Sequence, residues 1–380
     1  MLKRRLFTPG PVPVPDRVRL AMAREMVHHR AADFIPILQR CQSGLQRVFQ
    51  TAQPVLIFAA SGTGAMDAAV SNLLSPGDHA LVVRGGKFGE RWAEICQAYG
   101  VRTTLLDVEW GRAVEPRRVR EALEAHPDVR AVYLTASETS TGVRHPVREV
   151  AEIVRERDDR LIVVDGITAV GVYDLPMDAW GLDVVVAGSQ KAFMMPPGLA
   201  FISLSERAWG FHERATCPHY YFDLSAERKG LETDQTAWTP AVSLLMGLGE
   251  ALTMLLDEEG LEATWRRTER LAHATRESMR ALGLELYAPE SPSPALTAVK
   301  VPAGIEGPSL RKRLKDELGF TVADGQGKAK GRIFRIAHLG YYDRFDTIAV
   351  VAAVEMALAS LGFAFKPGEG VRTATELLRD

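Results

Sequence analysis

Between residues 55 and 204, seven short apolar runs alternate with segments of helical periodicity, and few architectures accommodate that alternation. The runs occupy residues 55–60, 80–84, 103–108, 131–135, 161–165, 184–187 and 199–204. Their length and branched aliphatic content read as strands. The intervening segments FGERWAEICQAYG, PRRVREALEAH and PVREVAEIVRERD carry apolar residues three and four apart, the period of a helix with one buried face. Strands that alternate with helices predict an α/β fold built on a mainly parallel sheet flanked by helices. The last two runs are joined by GSQKAFMMPPG, which is too short for a helical crossover and predicts an antiparallel strand there.

The rest of the chain divides by composition. Residues 1–15 are rich in Pro and Gly and read as an extended arm. Helical patterning covers residues 16–49 and again 241–282, and residues 345–361 read as a late helix. LTAVKVP, FTVAD and RIFRIAHLG are strand-like, so a large domain over 16–269 and a smaller α+β domain over 270–380 are expected. The 46 basic and 48 acidic residues leave a net charge of -2, which offers nothing to nucleic acid or an anionic membrane surface. No apolar stretch approaches the roughly 18 residues of a spanning helix. Cys41, Cys96 and Cys217 lack the spacing of a disulfide framework or zinc site, so no metal is expected. A cytoplasmic enzyme acting on small molecules fits these properties.

Three places carry chemistry. SGTGA, residues 61–65, follows a strand and opens a helix, where free N–H groups and the Thr63 hydroxyl would favour a phosphate. A glycine-softened turn would give the same letters. LIVVDG ends a strand in Asp165, at the edge where open α/β sheets bind ligands, although an Asp there can also cap a turn. GSQKAFMM places Lys191 among small and apolar neighbours, which favours a neutral, nucleophilic amine if the loop is buried and a solvated lysine if it is not. A phosphate cradle, a carboxylate and a nucleophilic lysine together suit pyridoxal 5′-phosphate (PLP), which needs all three.

The motifs TPGP, SGTGAMDAA, SETSTGV, VVDGITAVG, GSQKAFMMPPG, TAWTPAVSLL and FRIAHLG occur in that order along nearly the whole chain. In this the sequence resembles the class V aminotransferases of fold type I, in particular the alanine:glyoxylate and serine:pyruvate group. The resemblance implies a seven-stranded, mainly parallel sheet and covalent attachment of PLP to Lys191, which would also act as base. Asp165 would pair with the pyridinium nitrogen. Thr63, Gly64, Ala65 and Gln190 would contact the phosphate, Phe88 and Ile167 would sandwich the ring, and Ser140 would lie near the phenolic oxygen. Arg335 would clamp the substrate carboxylate as a bidentate fork, with Gly10 closing on the same group.

Thr236 and Thr239 would reach the phosphate of a neighbouring subunit, which implies a homodimer. Alternatively, Thr239 caps the helix that follows Pro240. His28, His29 and Arg30 would line the entrance or occupy a solvated helix face. Phe88, Ala65 and Thr236 stand where the animal alanine:glyoxylate enzymes have Trp, His and Tyr, which bears on substrate choice.

The implied reaction moves the amino group of a small L-amino acid, alanine or serine, to a small 2-oxo acid, glyoxylate or pyruvate. Aspartate and 2-aminoethylphosphonate are alternative donors on the same scaffold. Cysteine desulfuration is disfavoured because ADGQGKAKG lacks a cysteine nucleophile. An assembly protein that kept the fold without the chemistry would not need Lys191, Asp165 and Arg335 together, and a dinucleotide enzyme would need a fingerprint that SGTGAM lacks.

Overall fold

In the runs VLIF, LIVVD and VVVAG every residue is buried, which requires cover on both faces of the strands they form. The computed structural model, which describes residues 2–379, places them in one seven-stranded sheet. Its order is Val55–Phe58, Ala200–Leu204, Val184–Gly188, Leu161–Asp165, Val129–Thr135, His79–Arg84 and Arg102–Asp107. The strands from Val184–Gly188 to Arg102–Asp107 pair in parallel. Ala200–Leu204 runs antiparallel to both of its neighbours, as its short connection dictates.

Successive residues of each strand enter opposite cores. Leu161 and Val163 pack in one cluster with Met66, Trp92 and Tyr133, under helices Gly62–Ser71 and Lys87–Ala98. Ile162 and Val164 pack in the other with Leu45, Val150 and Leu248, from helices Ile35–Phe49, Val147–Val154 and Val242–Leu252. Each such aliphatic side chain contributes roughly 1.5–3 kcal/mol by leaving water.

A second sheet has the order Arg5–Phe7, Phe320–Asp324, Ile333–Ala337, Leu296–Lys300. Its first strand comes from the N-terminal segment that composition reads as an extended arm. Arg5 pairs opposite Phe320 and Phe7 opposite Val322, in parallel. Helices Leu261–Ala281, Arg344–Ser360 and Glu369–Leu378 lie beside this sheet and against one another.

Two expected helices are interrupted. The stretch 16–49 is split into Asp16–Met22 and Ile35–Phe49. Between them the Arg30 N–H donates to His28 Nδ1 at 3.2 Å, a local bond that competes with helix, so His28, His29 and Arg30 occupy a turn and not a helix face. The stretch 241–282 breaks at Gly260, whose φ of 85° suits glycine and separates Val242–Leu252 and the π-helical Thr253–Glu259 from Leu261–Ala281. Among the described residues no helix is long and apolar enough to cross a membrane.

Candidate active site

Parallel strands deliver their carboxyl ends to one edge of the sheet, and the chemistry-bearing residues collect there. Asp165 ends strand Leu161–Asp165. Gln190 and Lys191 follow strand Val184–Gly188, and Thr63 lies in the first turn of the helix that follows strand Val55–Phe58. Two glycines permit the approach. A Cβ on Gly188 would stand 3.4 Å from the Gly62 nitrogen, and one on Gly62 would stand 2.5 Å from Ile167 Cδ1. The sequence-predicted Thr63, Gly64, Ala65, Asp165, Ile167, Gln190 and Lys191 are thus drawn to one corner of the fold.

Lys191 is buried, and its Nζ donates to the carbonyl of Pro9. Gly10 adopts a φ of +125°, and a Cβ on it would overlap the Lys191 side chain, so glycine is required on both counts. Burial pushes the Lys191 amine down to about 8, with Arg335 and Arg91 acting in the same direction and Asp165 opposing. Asp165 is also buried, and among the described residues a single N–H, that of Ile167 at 2.9 Å, donates to its carboxylate. Burial raises that carboxyl to about 7, and Glu138 adds to the rise.

Arg335, on strand Ile333–Ala337 of the second sheet, is likewise buried. Its Nε donates to the Asp324 carbonyl and its Nη1 to the Thr139 carbonyl, each at 2.8 Å. The Asp324 carboxylate is paired with Arg311 at 2.7 Å, and it and Glu138 act on Arg335 through space. The Nη1–Nη2 edge keeps free protons with which to grip a carboxylate end-on. Burial lowers this guanidinium to about 10, and it stays charged at neutral pH.

Phe88 lies in the first turn of helix Lys87–Ala98. That turn is held by Glu138, a residue the sequence reading did not single out. The fully buried Glu138 carboxylate accepts from the Phe88 and Gly89 N–H groups, both at 3.1 Å, and from the Ser140 hydroxyl at 2.6 Å. Ser140 Oγ in turn accepts from the Lys87 N–H at 3.0 Å, so its proton is directed at Glu138 and its oxygen at the helix start. Burial raises Glu138, while the donors around it hold it down. Arg91, also unforeseen, donates from Nη1 to Thr63 Oγ1 at 3.1 Å. Glu138 stands inside SETSTGV, but its role and that of Arg91 come from long-range partners 28 to 50 positions away in sequence.

Thr236 and Thr239 do not join this group within one chain. They line a small cleft with Phe58, Tyr221, Glu227 and Trp238. Thr236 Oγ1 donates to the Trp238 carbonyl at 2.6 Å, and Thr239 is exposed. Helix Val242–Leu252 starts two residues after Pro240, with Ala241 at its N-cap, so Thr239 is not the cap.

The residues present fit PLP. Gln190 Oε1 is buried without a partner, beside the start of helix Gly62–Ser71 where a phosphate would sit. Among the described residues no cationic side chain is bonded to the buried Asp165 carboxylate, and a protonated ring nitrogen would supply the missing positive charge. Lys191 is a buried amine that burial shifts toward its neutral form.

The pattern that defines the Aminotransferase class-V family matches residues 17–340. The chain is 44% identical to a protein of Synechococcus sp. (strain PCC 6716) named soluble hydrogenase, small subunit, over 99% of this chain and 98% of that one. It is 35% identical to the L-aspartate–glyoxylate aminotransferase of Paracoccus denitrificans, over 98% of this chain and 96% of that one. The solved structure of alanine–glyoxylate aminotransferase from Nostoc sp. matches at a TM-score of 0.90 and 30% identity, covering 94% of this chain and 96% of that one. A buried lysine and carboxylate at the carboxyl edge of a fold type I sheet, in a chain matched along most of its length, make this protein a member of the class V, PLP-dependent aminotransferases.

Proposed function

We propose that this aminotransferase takes the amino group from a small L-amino acid with one carboxylate, alanine or serine, and gives it to glyoxylate or pyruvate. The observation that carries this reading is the distribution of positive charge. Arg335 is a buried guanidinium with one open edge, and Arg91, the arginine that acts on both Lys191 and Asp165, is bonded to Thr63. One clamp serves one carboxylate. A dicarboxylic donor such as aspartate would need a second buried cation to offset the cost of desolvating its side chain. The Paracoccus and Nostoc proteins are named for different donors and the same acceptor, which supports glyoxylate here.

PLP, when bound, supplies the electron sink that lets the substrate Cα–H bond break and carries the amino group between half-reactions. Arg335 binds the substrate carboxylate and orients Cα toward Lys191. Lys191 Nζ, favoured as the neutral amine by burial, takes the Cα proton. Asp165 would stay ionised when paired with a protonated ring nitrogen, and Phe88 and Ile167 would hold the ring between them. Gly10 and the Pro9 carbonyl close the pocket over Lys191 and exclude water. Thr236 and Thr239 act in a neighbouring subunit's site.

The test is a panel of amino acids offered singly to the holoenzyme without acceptor, scored by conversion of the bound cofactor to its pyridoxamine form. Alanine and serine should convert it faster than aspartate, glutamate or 2-aminoethylphosphonate. Faster conversion by aspartate than by either small amino acid would overturn the donor assignment.

A further inference from the structure

We propose that Arg91 is a positioning residue for the cofactor's phosphate: it supplies, through Thr63, the positive charge that the phosphate cradle lacks, and it braces Phe88 at the same time. The proposal rests on the placement of the phosphate at the start of helix Gly62–Ser71, argued above.

The cradle residues Ser61, Gly62, Thr63, Gly64, Ala65 and Gln190 carry no formal charge. A phosphate monoester brings about -1.5 to -2 at neutral pH, and a single helix N-terminus offers roughly half a positive charge. A cation is therefore wanted, and Arg91 is the guanidinium bonded to this turn. Its Nη1 donates to Thr63 Oγ1 at 3.1 Å, while its central carbon lies 4.9 Å from the centroid of the Phe88 ring. Neighbouring Glu90 is paired with Lys87 at 2.5 Å, so among the described residues the Arg91 charge has no carboxylate partner.

The hydroxyl makes the relay directional. Thr63 Oγ1 has one proton, and by accepting from Arg91 it leaves that proton to be donated elsewhere. A hydroxyl polarised by a charged donor is itself the stronger donor. Stacking on Phe88 adds the second function, because a guanidinium over one face of the ring fixes its plane and leaves the other face for the cofactor. Helix Lys87–Ala98 is anchored beside Arg91 by the fully buried Trp92, packed on Tyr133 with ring centroids 4.7 Å apart, so the guanidinium is presented from a rigid element.

The experiment compares pyridoxal 5′-phosphate with pyridoxal, which can reach Lys191 but has no phosphate. The full-length chain, freed of cofactor, is titrated with each and followed by the visible absorbance of the lysine-bound form. Arg91→Gln should weaken binding of pyridoxal 5′-phosphate by about tenfold or more, the scale of a charge-assisted hydrogen bond, while pyridoxal changes by less than about threefold. Arg91→Lys, which keeps the charge without the planar fork, should fall between. In a Thr63→Val background the Arg91→Gln loss should shrink, since the two act as a unit. Equal weakening of both ligands, or no weakening of either, would overturn the proposal and leave Arg91 a packing residue. Should Arg91→Gln fail to fold, the ratio of the two affinities in Arg91→Lys decides by the same criterion. If the unsubstituted chain binds the two ligands equally, the phosphate cradle itself is misplaced, a failure distinct from that of Arg91.

Discussion

Burial raises Asp165 to about 7 and lowers Lys191 to about 8, and each shift fixes a sign for stability against pH. A raised carboxyl stabilises the fold below its unfolded value near 3.8, and that contribution is lost as pH rises through about 7. A lowered amine acts in the other window: the unfolded chain binds the extra proton between about 8 and 10.5, so this group makes stability rise with pH there. Cofactor binding should remove the Asp165 penalty by bringing a protonated ring nitrogen against it. The gain in Tm on adding PLP should therefore grow between about pH 4 and 7, and Asp165→Asn should flatten that growth; an unchanged slope in the variant would sink the pairing. At Arg335, replacement by Lys keeps the charge but loses the two-toothed grip. We expect kcat/KM for amino acids to fall on the order of tenfold, about 1.4 kcal/mol, with simple amines much less affected. Equal losses for both would place Arg335 on folding or cofactor binding instead. Lys191, Asp165 and Arg335 were visible in the sequence because each lies within a motif, Asp165 ending a strand, Lys191 following one and Arg335 standing inside one. Glu138 and Arg91 were not, since their importance comes from partners met only after folding.

The helix Lys87–Ala98 carries Phe88 into the site, and its first turn depends on one carboxylate. Glu138 accepts from four groups, the Phe88 and Gly89 N–H of that turn and the N–H and hydroxyl of Ser140, in a buried place. Glu138→Ala should destabilise the protein by on the order of 3 kcal/mol, the cost of leaving buried donors unmade. It should also reduce the visible circular dichroism of the bound cofactor as Phe88 loses its fixed plane. A destabilised variant with unaltered dichroism would show that Glu138 supports the fold alone. At this scale the seven strands of the large sheet were readable because their runs are dense in branched aliphatics. The Arg5–Phe7 strand was not, as three residues have no period to read and become a strand only against the edge offered by Phe320–Asp324. The breaks at residues 23–31 and at Gly260 were hidden for a related reason: a single local bond or one left-handed residue decided them against helical patterning on both sides.

Across the molecule, one surface is ill suited to water. Tyr220 is 79% exposed and Tyr221 42%, and both rings pack against Trp238, in the segment that holds Thr236 and Thr239. An aromatic patch beside residues that reach no site within their own chain supports the proposed homodimer, in which a symmetric partner would place the segment over each neighbour's phosphate. Mixing Lys191→Ala with a Thr236→Ala, Thr239→Ala chain, under conditions that exchange subunits, should restore activity, because one mixed site has both Lys191 and an intact threonine pair. That outcome is meaningful when the threonine variant is folded and itself impaired, and no recovery despite proven exchange would reject the shared site. The N-terminal strand carries a different consequence. Arg5–Phe7 is synthesised long before its partner Phe320–Asp324, and the Pro9 and Gly10 that follow it form the wall over Lys191. A nascent chain can build most of the large sheet while Arg5–Phe7 waits unpaired. The pocket over Lys191 can close only once Phe320–Asp324 has been made, so a chain interrupted before that strand would leave the reactive amine open to solvent and to whatever aldehydes it meets.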